Sequence, residues 1–218
     1  MQSYFQDELA KLRKRINKMF LLVNSQLEKS YQSVFNQEFE TTDSTTQNEN
    51  RIDKLDTKID KLCQRIFALA QPVATDLRFI MSSLRIGNEI ERMGDIALGI
   101  IDRSESVRSY QETLEPYKVA ELFREVIQLA GRLAEAYANN NNELAKEIAL
   151  GCKKSEEACK IAFQEIVSQM TVKSDVIVIA TDLILIIRDL ERIDNHLENI
   201  AESVVFITEG KRIRNAAK

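Results

Sequence analysis

Two prolines and six glycines are all that punctuate a chain of 218 residues. These residues make most turns and interrupt helices, so a chain this poor in them has few turns and long elements. The space between is filled by Leu, Ile, Ala, Glu, Lys, Arg and Gln, the good helix formers. An all-α fold follows.

The breaks divide the chain into six helices. The first runs from about Phe5 to Phe35 and is closed by the polar run Thr41-Thr42-Asp43-Ser44-Thr45, which is rich in N-cap residues and opens the second. The second carries Ile52, Leu55, Ile59, Leu62, Ile66 and Leu69, at the 3-4 spacing of a helix packed along its length. Gln71-Pro72 ends it, because proline disfavours helical geometry in the residue before it and suits a first turn. The third spans about Val73 to Ser104, and Pro116 marks the region between repeats. The pattern then recurs: Tyr117 to Ala138, a turn at Asn139 to Asn142, a helix to Met170, a break at Lys173-Ser174, and a last helix to Thr208. A shift of 100 residues lays Leu84 on Ile184, Ile90 on Leu190, Glu91-Arg92 on Glu191-Arg192 and Ile100 on Ile200. The spacing predicts two tandem three-helix bundles, residues 1–110 and 111–218.

Composition narrows the function. Net charge is −4, where a phosphate-backbone binder carries a basic stripe, so no nucleic acid is expected. The longest apolar stretch, Val176 to Ile187, contains Asp182 and falls short of the roughly 20 residues a span needs, so it reads as a core helix. Three cysteines without CxxC spacing, Cys63, Cys152 and Cys159, and no secretory signal indicate reduced core thiols in a cytoplasmic protein. The basic run Lys11, Arg13, Lys14, Arg15 and Lys18 flanks Leu12, Ile16 and Met19, which read as a core stripe.

The carboxylates demand more explanation. Leu77, Leu84 and Glu91 recur every seven residues, as do Ile177, Ile184 and Glu191, so an acid continues what reads as a buried apolar stripe in each repeat. Burying a carboxylate costs several kcal/mol unless it is paired, hydrogen-bonded or metal-bound. Asp95 lies one turn beyond Glu91, and the second helix carries Glu49, Asp53, Asp56 and Asp60 along one stripe. The pairs Glu49–Asp53 and Glu91–Asp95 are centred at equal distances from Pro72, so an antiparallel hairpin brings them to one height. In the second repeat Cys152/Glu156 and Glu191/Asn195 are likewise equidistant from the Lys173-Ser174 break. Four oxygens on facing helices suit a hard cation, whereas a solvated acidic face is the plainer alternative. His196, the single histidine, reads as a partly buried or surface residue before it reads as a ligand. One histidine also argues against the di-iron bundles, which use Glu-x-x-His on each of two helices. A phosphate loop, a nucleophile elbow and a Cys/His pair are all missing from the sequence.

The segment Gln71-Pro72-Val73-Ala74-Thr75-Asp76-Leu77-Arg78, followed by Glu91-Arg92-Met93-Gly94-Asp95, resembles signature segments of the PhoU family of phosphate-signalling proteins. Glu191-Arg192-Ile193-Asp194-Asn195-His196 and Asn199-Ile200-Ala201-Glu202 are similar to the second copy. The resemblance implies paired three-helix bundles that bind a divalent or trivalent metal (iron, zinc, magnesium or manganese) at Glu49, Asp53, Glu91 and Asp95. In the second repeat it implies Cys152, Glu156, Glu191 and Asn195. There Cys152 and Asn195 replace acids and Asp194 stands at the usual glycine, so a weaker or empty site is expected, with Cys152 favouring a softer ion such as zinc. It further implies no catalytic turnover and a homodimeric adaptor between a phosphate ABC transporter ATPase and a sensor histidine kinase, reaching the membrane through these partners only. A metal-dependent hydrolase or oxidoreductase on the same carboxylates and a metal-free helical scaffold are the alternatives.

Overall fold

Helix breaks set the architecture. The computed structural model describes residues 2–35, 42–108 and 117–211 as α1 (Gln2–Phe35), α2 (Thr42–Leu69), α3 (Ala74–Arg108), α4 (Tyr117–Asn139), α5 (Asn142–Val172) and α6 (Ile177–Glu209), with a single 3-10 turn, Ser174–Val176, before α6. Pro72 stands between α2 and α3 as its chemistry requires. Thr41, Pro116 and the expected repeat boundary near residue 110 lie outside the described residues.

The α4–α5 corner shows how a short turn is built. Asn140 adopts φ 50°, the left-handed region that asparagine tolerates better than other residues with a Cβ. Asn141 then caps α5, its side-chain oxygen accepting from the Leu144 N–H at 3.1 Å. At the far end of α6, Gly210 takes φ 68° and closes the helix through its N–H to the Phe206 carbonyl.

Within each repeat the three helices pack on one another, and the repeats join through α3 against α6 and α1 against α4. Both joins are antiparallel. Arg78 donates to the Ile207 carbonyl, Glu89 meets His196, Arg103 meets Asp189 and Ser106 meets Asp182, so numbers rise along α3 as they fall along α6. On the α1–α4 side, Arg13 donates to Asn140 Oδ1, Phe20 packs on Tyr137, and Tyr31 meets Phe123 edge-on with centroids 5.7 Å apart. The apolar core is continuous across both repeats, and Leu12, Ile16 and Met19 lie fully inside it. Arg13, on the basic flank of that stripe, lies over the Phe79 and Tyr137 rings instead of standing in solvent.

One expectation needs correcting. The Leu77–Leu84–Glu91 stripe is not buried: Leu77 is 41% exposed, Leu84 partly buried and Glu91 half-buried. Ile177, 44% exposed, and Ile184 behave alike. The deep stripe on α3 is the neighbouring one, Ile86, Met93 and Ile100, each at 0%. A seven-residue repeat picks out a helix face without telling which of two adjacent faces is innermost.

Candidate metal centre

The two acid pairs meet where an antiparallel hairpin about Pro72 puts them, along the seam between α2 and α3. Glu49 is buried beside Gly94, and a Cβ on that glycine would lie 3.1 Å from Glu49 Oε2 and 3.2 Å from Ile52 Cδ1. Two turns away Gly87 stands in the same relation to Asp56, 3.1 Å from its Oδ1. These two α3 glycines make room for carboxylates arriving from α2, which explains why they sit in the middle of a helix.

Gln26 on α1 completes the floor. Its amide donates to Glu49 Oε2 at 2.7 Å and to the Gly94 carbonyl at 3.1 Å, so one buried side chain ties all three helices of the repeat. Glu49 Oε1 is buried and receives no donor, the other side chain that reaches this carboxyl being the carboxylate of Asp95. Burial, and then the charges of Asp95 and Asp53, push the Glu49 carboxyl up to about 7, against the Gln26 hydrogen bond that lowers it. Glu91 is raised too, by burial first and then by Asp95, Asp56 and Asp53, with Arg92 offsetting a little. Asp56 is raised by burial and by Asp60 and Asp53. The structure thus brings Glu49, Asp53, Asp56, Glu91 and Asp95 into one electrostatic group. Among the described residues no lysine or arginine ion-pairs with any of them.

That group suits a cation in donor type and charge. An uncompensated buried oxygen and mutually repelling carboxylates are what a hard ion relieves. Among the described residues no three His, Cys, Asp or Glu groups stand close enough to hold an ion as placed. Asp53 and Asp95 are exposed, and the charges of both act on the Glu49 carboxyl.

The second seam, between α5 and α6, is built differently. Cys152 is buried, and burial, followed by Asp194 and Glu198, pushes its thiol well above the ordinary range. Asn195 is exposed and donates to the Glu191 carbonyl of its own helix at 3.0 Å, turned onto the backbone. Glu156 pairs with Lys160 at 2.8 Å and Glu191 with Arg188 at 2.7 Å. The buried carboxylate here is Asp194, 2% exposed, accepting from Ser155 Oγ at 2.6 Å. Its Oδ1 is unpartnered, and burial with Glu125, Glu156 and Glu191 raises it to about 7. The other cysteines are free and buried, with thiols pushed up to about 12 by burial. His196 joins α6 to α3: its Nδ1 lies 2.6 Å from Glu89 Oε2, and Asn199 donates to the same oxygen at 3.3 Å.

Among the described residues, six α-helices in two three-helix repeats docked antiparallel, one with an acid-lined seam, define an all-α tandem-repeat protein. A family model described as the PhoU domain matches twice, at residues 16–104 and 119–204. The chain belongs to the PhoU family. It is 26% identical over 211 residues to the phosphate-specific transport system accessory protein PhoU of Serratia marcescens, covering 97% of this chain and 87% of that one. The crystal structure of PhoU from Pseudomonas aeruginosa matches with a TM-score of 0.90 at 27% identity, over 95% of this chain and 100% of that chain. The phosphate transport system regulatory protein PhoU from Streptococcus pneumoniae shares the fold, with a TM-score of 0.86 at 23% identity over 95% of this chain and 98% of that one.

Proposed function

We propose that the protein is a metal-binding adaptor of phosphate homeostasis that restrains phosphate uptake and the phosphate-starvation response by contact rather than by turnover. The observation that carries this reading is the family domain found twice, with the unpartnered oxygen of Glu49 beside Asp53 and Asp95, and Glu91 beside the same two aspartates, in the first copy. The curated relatives are named as accessory proteins of phosphate-specific transport systems. By that likeness the contacts are a phosphate ABC transporter ATPase and a sensor histidine kinase, engaged by a cytoplasmic homodimer. No described helix is long and apolar enough to cross a membrane, which suits docking through partners.

The metal is a divalent or trivalent ion bound by Glu49, Asp53, Glu91 and Asp95. It supplies positive charge to the α2–α3 seam and a coordination position that a partner's carboxylate can fill. A capture experiment tests the reading. Tagged protein with metal present should retain the transporter ATPase or the kinase, and Glu91→Ala with Asp95→Ala should release metal and partner together. A strain lacking the gene should express phosphate-uptake genes in phosphate-rich medium. Normal repression in that strain would overturn the adaptor reading, and unchanged metal content in the double variant would overturn the metal assignment.

A further inference from the structure

The second repeat answers the problem of the acidic seam with different chemistry. The family matches begin at 16 and 119, an offset of 103 that carries Gln26 onto Leu129, Glu49 onto Cys152 and Asp53 onto Glu156. Along the third helix of each repeat the offset is 100, so Gly94 falls on Asp194, Glu91 on Glu191 and Asp95 on Asn195. The buried carboxylate has changed helices: it comes from α2 over a glycine of α3 in one repeat, and from α6 over a cysteine of α5 in the other. Its donor changes with it, from the Gln26 amide to the Ser155 hydroxyl.

The rim acids differ more consequentially. Lys160 Nζ stands 2.8 Å from Glu156, and Arg188 Nη1 stands 2.7 Å from Glu191. The same offsets place Thr57 and Asn88 at those two positions of the first repeat, both uncharged and exposed. A lysine and an arginine are therefore present at the seam where two rim acids already have company, and missing where the acids have none. An entering ion needs several unpaired oxygens, and Lys160 and Arg188 occupy the ones that Glu156 and Glu191 offer. Asn195, turned onto the Glu191 carbonyl, withdraws a further donor.

We propose that the second seam is a metal-independent copy of the first, in which Lys160 and Arg188 are built-in counter-cations for Glu156 and Glu191. The inference rests on the reading of the first seam as a cation site. Its test is arranged so that the two can fail separately.

Manganese(II) is the probe, measured by equilibrium dialysis on the full chain, with far-ultraviolet circular dichroism to verify folding. The Lys160 and Arg188 side chains are 54% and 65% exposed, so Lys160→Met with Arg188→Met leaves the core untouched. That variant should gain manganese binding, and the gain should survive Glu49→Gln with Glu91→Gln, which disables the first seam. The converse graft, Thr57→Lys with Asn88→Arg, should weaken manganese binding at the first seam roughly tenfold or more. No gain in the Lys160→Met/Arg188→Met chain would overturn the proposal. So would manganese that persists in the Glu49→Gln/Glu91→Gln chain and disappears on Asp194→Asn, because the second seam would then bind unaided. If the unaltered chain binds no manganese, the first-seam reading fails, and the Lys160→Met/Arg188→Met gain still decides the second.

Discussion

Arg103 on α3 donates to Asp189 on α6 across 2.7 Å, and Asp189, 6% exposed, also accepts from Arg192 of its own helix at 3.0 Å. The pair ties one repeat to the other at the edge of the core. Replacing Arg103 by Met leaves a buried carboxylate with a single donor that is itself largely exposed. A loss of about 1–3 kcal/mol is expected, read as a lower midpoint in urea with an unchanged slope. An unaltered midpoint would mean that this ion pair adds nothing to the join between the repeats.

Without metal the protein should lose stability as pH rises from about 4.5 to about 7. The sign follows from Glu49, whose carboxyl is raised from 4.5 to about 7 in the fold, so the native state holds a proton there that the unfolded chain has released. Asp194, raised from 3.8 to about 7, acts in the same direction. Glu8 acts oppositely, being lowered by its hydrogen bond from Lys11 against the cost of burial, so its contribution fades below about pH 4.5. Thermal melts of chelator-treated protein at pH 5.5 and pH 8 should differ, with the higher midpoint at pH 5.5. Glu49→Gln should narrow the difference to the part that Asp194 contributes, and a metal ion at Glu49 should reduce it by stabilising the ionised form.

Gly94 and Gly131 make a matched pair of tests. Both lie inside helices, where alanine is favoured by up to about 1 kcal/mol. A Cβ at Gly131 meets nothing within 4 Å, so Gly131→Ala should raise the melting temperature. A Cβ at Gly94 presses on Glu49 and on fully buried Ile52, so Gly94→Ala should forfeit that gain and weaken metal binding. Equal stabilisation by both changes would show that Glu49 gives way freely.

Gln26→Leu copies into the first repeat the residue that stands at the matching place of the second, Leu129. It removes the donor to Glu49 and leaves the Gly94 carbonyl without its side-chain partner. Chelator-treated protein should be less stable by about 1–3 kcal/mol, measured by denaturant unfolding. A cation should restore part of the loss, since it takes over the charge that Gln26 had been offsetting.

Sequence carried the helices and one seam, and the reasons are local. Pro72 and the asparagine turn mark corners by backbone chemistry, and the 3-4 spacing of Ile52, Leu55 and Ile59 marks the inner face of α2. The facing of Glu49–Asp53 and Glu91–Asp95 was legible because a tight turn at Pro72 fixes the register of two helices. Gln26 was not legible, because no residue pattern between Phe35 and Thr42 predicts the register of α1 against α2 as Pro72 does for α2 against α3. Lys160 and Arg188 stand outside the repeated acid positions, and no motif marks Ser155 or Glu125 as a neighbour of Asp194. The comparison of equivalent sites, Lys160 with Thr57 and Arg188 with Asn88, was the signal available. Nor does any periodicity foretell that α3 meets α6, since the contacts lie about a hundred residues apart.

The antiparallel docking of α3 on α6 and α1 on α4 relates two halves of one polypeptide much as a dyad relates two subunits. In a homodimer every substitution appears twice, and a change that suits one side is imposed on the other. Tethering in a single chain lifts that constraint and keeps the halves at high effective concentration. Asp194 could arise without touching Gly94, and Lys160 without touching Thr57. Covalent duplication thus lets the two seams diverge, one keeping a buried glutamate over a glycine and the other a buried aspartate with its own counter-cations at the rim.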